Sequence, residues 1–257
     1  MPVLNMTFMS NILGMQSSAV VILPQSSPEN KINKPFKTLY LLHGLSDDHT
    51  AWTRYTSIER YAAKYNIAVV MPNAHRSFYS DKKNGGQYFK FVSEELIEIM
   101  QEFFSLSDKR EDRYAAGLSM GGYGAMKLGL ACPEKFAAVA SLSGALDIEM
   151  RVKDDIEMRV KDNPESEFSY MLKLPEEERR QNDLFYLAEK LNASNQPKPR
   201  IYIWCGTEDF LYQDNIKFRD FLKKSSFDFV YEEAPGDHSW GYWDTQIQTV
   251  LRFMFGG

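Results

Sequence analysis

Short unbroken apolar runs recur along the chain, separated by stretches in which apolar residues return every third or fourth position. The runs are VVIL at 20–23, TLYLLHG at 38–44, IAVVMP at 67–72, YAA at 114–116, FAAVASLSG at 136–144, RIYIWCG at 200–206 and FDFVYEE at 227–233. All seven predict strands, and the continuous apolar runs TLYLLHG and IAVVMP predict strands buried on both faces. The first is closed by Pro24 and a polar turn through Ser26, Pro28 and Asn30. Between the runs, the spacing predicts helices over 58–65, 92–104, from GLSMGG to about 131, over 215–224 and from about 242 to 255. Glu94, Glu95 and Glu98 fall on the wet side of the second of these. Strands alternating with helices give an α/β fold, a mostly parallel sheet with helices on both faces. In such sheets ligands sit beyond the carboxyl ends of the strands. No linker interrupts the pattern, so a single domain over 1–257 is expected, with a charged, small helical cap-like insertion at about 147–189.

Composition changes this picture little. At 257 residues, 44% hydrophobic and 25% charged, the chain reads as an ordinary globular protein. A net charge of −5 offers no basic footprint for nucleic acid. Cys132 and Cys205 both lie in apolar surroundings, which argues against a disulfide framework. The N-terminal stretch alternates apolar and polar residues and has no Lys or Arg before Lys31, unlike a secretory leader. No run approaches the roughly 20 apolar residues that span a bilayer. A cytoplasmic location is therefore expected.

The candidate chemistry starts at GLSMGG, 117–122. Gly117-Leu118-Ser119-Met120-Gly121 fits G-x-S-x-G and lies between a predicted strand and a predicted helix, where that motif belongs. A turn this sharp strains the serine backbone and leaves no space for a Cβ two residues to either side. It presents Oγ at the start of a helix, whose amides favour a developing oxyanion. Serine needs a base, itself held by a carboxylate. His238, in APGDHSWGYW, follows the last strand and precedes the last helix, at the carboxyl edge of the sheet. His43 is expected to hydrogen-bond local backbone, and His49 and His75 to lie on surface loops. In the Ser, acid, His chain order of α/β-hydrolases the acid belongs on the exit loop of the preceding strand. CGTEDF supplies it, with Asp209 preferred and Glu208 the rival. Asp237 is expected to cap its loop. HGL at 43–45 stands where these folds place one oxyanion donor, so the N–H groups of Leu45 and Met120 are the expected pair. Asp47, Asp48 and His49 are adjacent but lack ligand spacing, and neither metal nor cofactor is expected.

Taken together, LYLLHGLSDDHTAW, AAGLSMGGYGAMKLGL, CGTEDFLY and PGDHSWGYWD resemble the tributyrin-esterase branch of the esterase D family, within the α/β-hydrolases. The likeness runs along nearly the whole chain, with the motifs in family order. It implies the α/β-hydrolase fold and carboxylesterase activity on short acyl chains. By position in these motifs it implies Ser119 as nucleophile, Asp209 as acid, His238 as base and the amides of Leu45 and Met120 as oxyanion hole. The wider family includes S-formylglutathione hydrolases, feruloyl esterases and acetyl-sugar esterases, so the reaction is better specified than the substrate. A catalytically dead binding module is the non-enzyme alternative, although no triad member is missing. The expected partner is a small-molecule ester, with neither nucleic acid nor membrane; a homo-oligomer is compatible with the sequence.

Two further expectations concern substrate fit. A short apolar acyl pocket is lined partly by Trp52 or Trp240, with a core-packing role for Trp52 equally compatible with its position. DIEMRVKD occurs twice in tandem, at 147–154 and 155–162. Its acid-first i,i+4 pairs, among them Asp147 with Arg151 and Glu149 with Lys153, predict a continuous helix. One repeat adds about 12 Å of helix beside the mouth of the site.

Overall fold

A computed structural model describes residues 1–28, 31–82, 85–148 and 174–256. Five neighbouring parallel strands run out to one edge: β3 (Thr38–Leu42), β5 (Arg113–Leu118), β6 (Ala138–Leu142), β7 (Arg200–Gly206) and β8 (Phe229–Ala234). β4 (Ala68–Pro72) pairs parallel with β3 on its other side. An antiparallel hairpin, β1 (Val3–Ser10) and β2 (Met15–Ile22), completes that flank. The order across the sheet is β1-β2-β4-β3-β5-β6-β7-β8. β3 and β4 are buried at every position, as their apolar runs predict, and so are β5 and β6. This is the α/β-hydrolase fold.

The sequence pattern located these strands to within a few residues, except that it caught only the second half of β2 and missed β1. Its VLNMTFMS does alternate, Leu4, Met6 and Phe8 lying half-buried while Val3, Asn5 and Thr7 are exposed. Only one face packs on the protein, so no continuous apolar run marks it. The hairpin is pinned by Glu95, which is buried and not on the wet side expected of it: its carboxylate accepts from the Ser10 hydroxyl and from the Asn11 N–H at 2.6 Å.

Side chains alternate between two cores. On one face Tyr40, Leu42, Val70, Val139 and Ile203 meet α4 (Leu96–Phe103), α5 (Met120–Ala131), α7 (Leu184–Asn192) and α8 (Tyr212–Leu222). On the other, Leu39, Leu41, Val69, Ala140 and Trp204 meet α2 (Ile58–Ala63) and α9 (Trp240–Phe255). Three short helices, α1 (Ala51–Tyr55), α3 (Tyr88–Lys90) and α6 (Glu176–Arg180), and a 3-10 turn at Arg110–Asp112 lie between them. The predicted helix over 92–104 starts earlier, at α3, and runs through a π-helical turn, Phe91–Glu95, into α4.

The insertion expected at 147–189 ends sooner than its charge suggests. Leu184, Leu187, Ala188 and Leu191 recur at i, i+3, i+4 and i+7 and are all buried, so α7 belongs to the core layer against α5. Lys127 of α5 is buried too. Its ammonium donates to the Asn182 side-chain oxygen at 2.7 Å, the Tyr79 carbonyl at 3.2 Å and the Ser80 hydroxyl at 3.2 Å. Burial pulls its pKa down to about 7. Tyr123, one turn earlier, donates its hydroxyl to the Asn182 carbonyl at 2.7 Å. Asn182 is thus fastened to α5 twice. The helix predicted for the tandem repeat lies, from residue 149 onward, outside the described residues.

Candidate active site

The strand order reverses direction at β3, whose neighbours β4 and β5 leave to opposite sides. A crevice opens at the carboxyl ends of such a pair. β3 ends at Leu42 and runs into His43-Gly44-Leu45; β5 ends at Leu118 and runs into Ser119. Both candidate loops therefore leave the sheet at its switch point.

Ser119 has φ 53° and ψ −118°, a conformation costly for any residue with a Cβ, and it is the residue immediately before α5. Its flanking glycines answer to backbone approach. A Cβ on Gly117 would stand 2.4 Å from the Gly121 carbonyl carbon, and one on Gly121 would stand 2.4 Å from the Leu42 carbonyl oxygen. Packing around β3 and β5 thus leaves no room for side chains and holds the strained turn in place. The Ser119 N–H donates to Leu142 at 2.9 Å, while its carbonyl accepts from Tyr123 at 3.1 Å and Ala145 at 3.3 Å. Its side chain is half-buried.

The Gly44 loop lies beside this turn: a Cβ built on Gly44 falls 3.8 Å from the Ser119 Cβ. His43 Nδ1 donates to the Gly44 carbonyl at 2.7 Å, and the Asp47 N–H donates to the same oxygen at 3.3 Å. His43 Nε2 accepts from the Ala74 N–H at 3.0 Å. These bonds require the neutral Nδ1–H tautomer, and burial lowers the pKa of the ring to about 4. A trans peptide sends its C=O and N–H in opposite directions. By fixing the Gly44 carbonyl, His43 therefore also fixes the direction of the Leu45 N–H. Met120 is the first residue of α5, where the N–H has no intrahelical acceptor.

Asp209 and His238 meet across the exits of β7 and β8. The carboxylate accepts from His238 Nδ1 at 2.8 Å and 3.0 Å, and from the Leu211 N–H at 2.8 Å. Its side chain is fully buried, while that of His238 is 19% exposed. Glu208, the rival acid, is occupied elsewhere: it accepts from the Gly236 N–H and, at 3.0 Å, from the Thr207 hydroxyl. It ties the two exit loops together. Asp237 is exposed. The imidazole is flanked by Trp243, edge-on at 4.9 Å, and by Phe210 at 4.5 Å. The Trp243 indole N–H donates to the Ser143 hydroxyl at 3.1 Å, which joins the histidine loop to the exit of β6 beside Ser119. Ser119 Oγ and His238 Nε2 have no hydrogen-bond partner among the described residues.

Trp52 is 1% exposed, donates its indole N–H to the Leu42 carbonyl at 3.0 Å and packs edge-on against Trp240 at 5.1 Å. Trp240 is half-buried and stacks on Tyr55 at 4.9 Å. His75 is exposed and His49 half-buried. Among the described residues no group of three or more His, Cys, Asp or Glu is placed to hold a metal ion, and both cysteines are unpaired. No helix among the described residues is long and apolar enough to cross a membrane.

The Esterase family model matches residues 10–254. The chain belongs to the Esterase family. An acetyl esterase of Caldicellulosiruptor saccharolyticus is 33% identical over 99% of this chain and 98% of its own length. Among solved structures, the substrate-bound fluorophosphonate-binding serine hydrolase F of Staphylococcus aureus superposes with a TM-score of 0.87 at 36% identity, covering 99% of this chain and 98% of that one. The S-formylglutathione hydrolase of the same organism gives 0.83 at 35% identity, with the same coverage. This chain is an esterase of the serine-hydrolase type, esterase D-like in family. The esterase's strained serine turn and its Asp–His pair stand on loops that leave the same edge of the sheet.

Proposed function

We propose that this esterase hydrolyses short-chain acyl esters, as in the tributyrin-esterase branch, through a Ser119–His238–Asp209 triad. The Asp209–His238 hydrogen bonds at the sheet edge that carries the strained Ser119 turn support this reading above all else. Ser119 Oγ attacks the ester carbonyl and His238 Nε2 takes its proton. Asp209 keeps the other proton on Nδ1 and stabilises the imidazolium. The oxyanion is met by the N–H groups of Leu45 and Met120. Collapse expels the alcohol, protonated by His238, and water releases the acyl group by the reverse sequence. Catalytic hydrogen bonds that are absent without substrate commonly form in the Michaelis complex, so the unpartnered Oγ and Nε2 fit this scheme.

The acyl pocket is short and apolar, with Trp240 on its wall and Trp52 packed behind it. A panel of p-nitrophenyl esters tests this: kcat/KM peaks between acetyl and butyryl, and better turnover of palmitoyl than butyryl ester would overturn it. Labelling by a fluorophosphonate probe, abolished in Ser119→Ala, tests the nucleophile and separates an enzyme from a binding module. The likeness to an S-formylglutathione hydrolase supports a second reading, thioester hydrolysis. Relative rates on S-formylglutathione and ethyl acetate decide between them.

A further inference from the structure

The two rings against His238 differ in one respect that packing does not explain. Trp243 is buried and hydrogen-bonded, an inner wall. Phe210 lies 4.5 Å from the imidazole centre, tilted by 51°, yet 67% of it is exposed. An exposed phenyl ring forgoes most of the stabilisation that burial gives. Its position is nevertheless set by hydrogen bonds: the Asp209 N–H donates to the Gly206 carbonyl at 3.2 Å, the Asp209 carboxylate accepts from Leu211, and the Tyr212 N–H donates to the Asp209 carbonyl at 2.9 Å. Leu211 is buried, which leaves Phe210 facing outward. The turn that holds the acid thus also holds an aromatic face beside the base.

We infer that Phe210 is a specificity-determining residue whose ring receives the alcohol portion of the ester and favours alcohols with an apolar or aromatic body. This rests on His238 acting as the base. The imidazole that took the Ser119 proton must return it to the leaving oxygen, so that oxygen comes within hydrogen-bond reach of Nε2. Atoms just beyond it then approach the ring that lies tilted against the same imidazole. The acyl chain departs from the other side of the carbonyl carbon. Phe210 therefore acts on the alcohol and not on acyl length.

The test compares Phe210→Ala and Phe210→Tyr with the wild type on methyl, phenyl and 2-naphthyl acetate. Each ester is read as variant against wild type, so the leaving ability of the alcohol cancels. Phe210→Ala is expected to lower kcat/KM for 2-naphthyl acetate by roughly 5- to 20-fold and for methyl acetate by less than about 2-fold, on the scale of one aromatic contact. Phe210→Tyr retains most of the naphthyl activity. Across p-nitrophenyl acetate, butyrate and hexanoate the alanine variant loses one common factor, and its pH–rate profile is unmoved. An equal loss on all three acetates, a displaced pH profile or a reordered acyl series would overturn the assignment. Fluorophosphonate titration of every variant counts competent sites. A wild type that is not labelled would refute the Ser119 triad itself, which is a separate failure.

Discussion

Two imidazoles stand at the same edge of this sheet, and they are held in opposite ways. His43 uses both ring nitrogens on backbone, giving Nδ1–H to Gly44 and accepting from Ala74 on Nε2. His238 uses Nδ1 on the Asp209 carboxylate, and its Nε2 is bonded to no described residue. The first ring has both nitrogens committed to backbone; the second has one nitrogen bonded to no described residue. In the proposed scheme the first is structural and the second is the base, as their places in the sequence suggested. The structure adds what each ring nitrogen is bonded to.

Removing the reactive members gives the largest effects. Ser119→Ala and His238→Ala are each expected to lose on the order of 10⁴-fold or more in kcat, and the double variant scarcely more, because the groups act as a unit. Steady-state rates on a short p-nitrophenyl ester measure this, and full turnover by purified Ser119→Ala would sink the mechanism. Asp209→Asn should also cost on the order of 10⁴-fold, by favouring the wrong tautomer of His238. Glu208→Gln, which loosens only the contact to Gly236 and Thr207, should stay within about 10-fold in activity, since its hydrogen bonds are structural. If the two results were exchanged, the acid would be Glu208.

His43 sharpens the comparison through pH. Its folded pKa of about 4 lies below the ordinary 6.5. Above pH 6.5 both folded and unfolded chains hold it neutral, and its contribution is fully present. As pH falls toward 4 the unfolded state takes up the proton first, so stability declines across that window, by about 3 kcal/mol in all. Urea unfolding at pH 7 and pH 4.5 should show a smaller loss in His43→Gln than in the wild type. The same substitution should reduce kcat by roughly 10- to 100-fold, because the Leu45 N–H loses its fixed direction. The smallest effect is expected at Trp240→Ala, a shift of a few-fold in preference toward longer acyl chains, read from the p-nitrophenyl series.

Much of this architecture was legible in the chain because it rests on local rules. Fully buried strands must be apolar throughout, and the Gly117 and Gly121 pattern follows from a turn with no room for Cβ atoms. What escaped depends on distance or on weak patterning. β1 packs on one face only and gives no apolar run. α7 sits among charged residues that mask its buried stripe. The role of His43 depends on Ala74, a residue 31 positions away that no spacing rule connects to it. In CGTEDF the preferred acid, Asp209, is the one that meets His238, and the fold commits its rival Glu208 to Gly236.

The double fastening of Asn182 to α5 bears on how this gene can change. At the other end of the segment Asp147 is buried and paired with Lys217 of α8. The chain between 147 and 182 thus starts and finishes on fixed points of the core. For any connection tied at both ends, the entropic cost of closure grows only logarithmically with length, so added residues cost little. A tandem duplication such as DIEMRVKD could arise there in one step with little thermodynamic resistance, while neither anchor moves. Length can change between these two anchors without moving either of them.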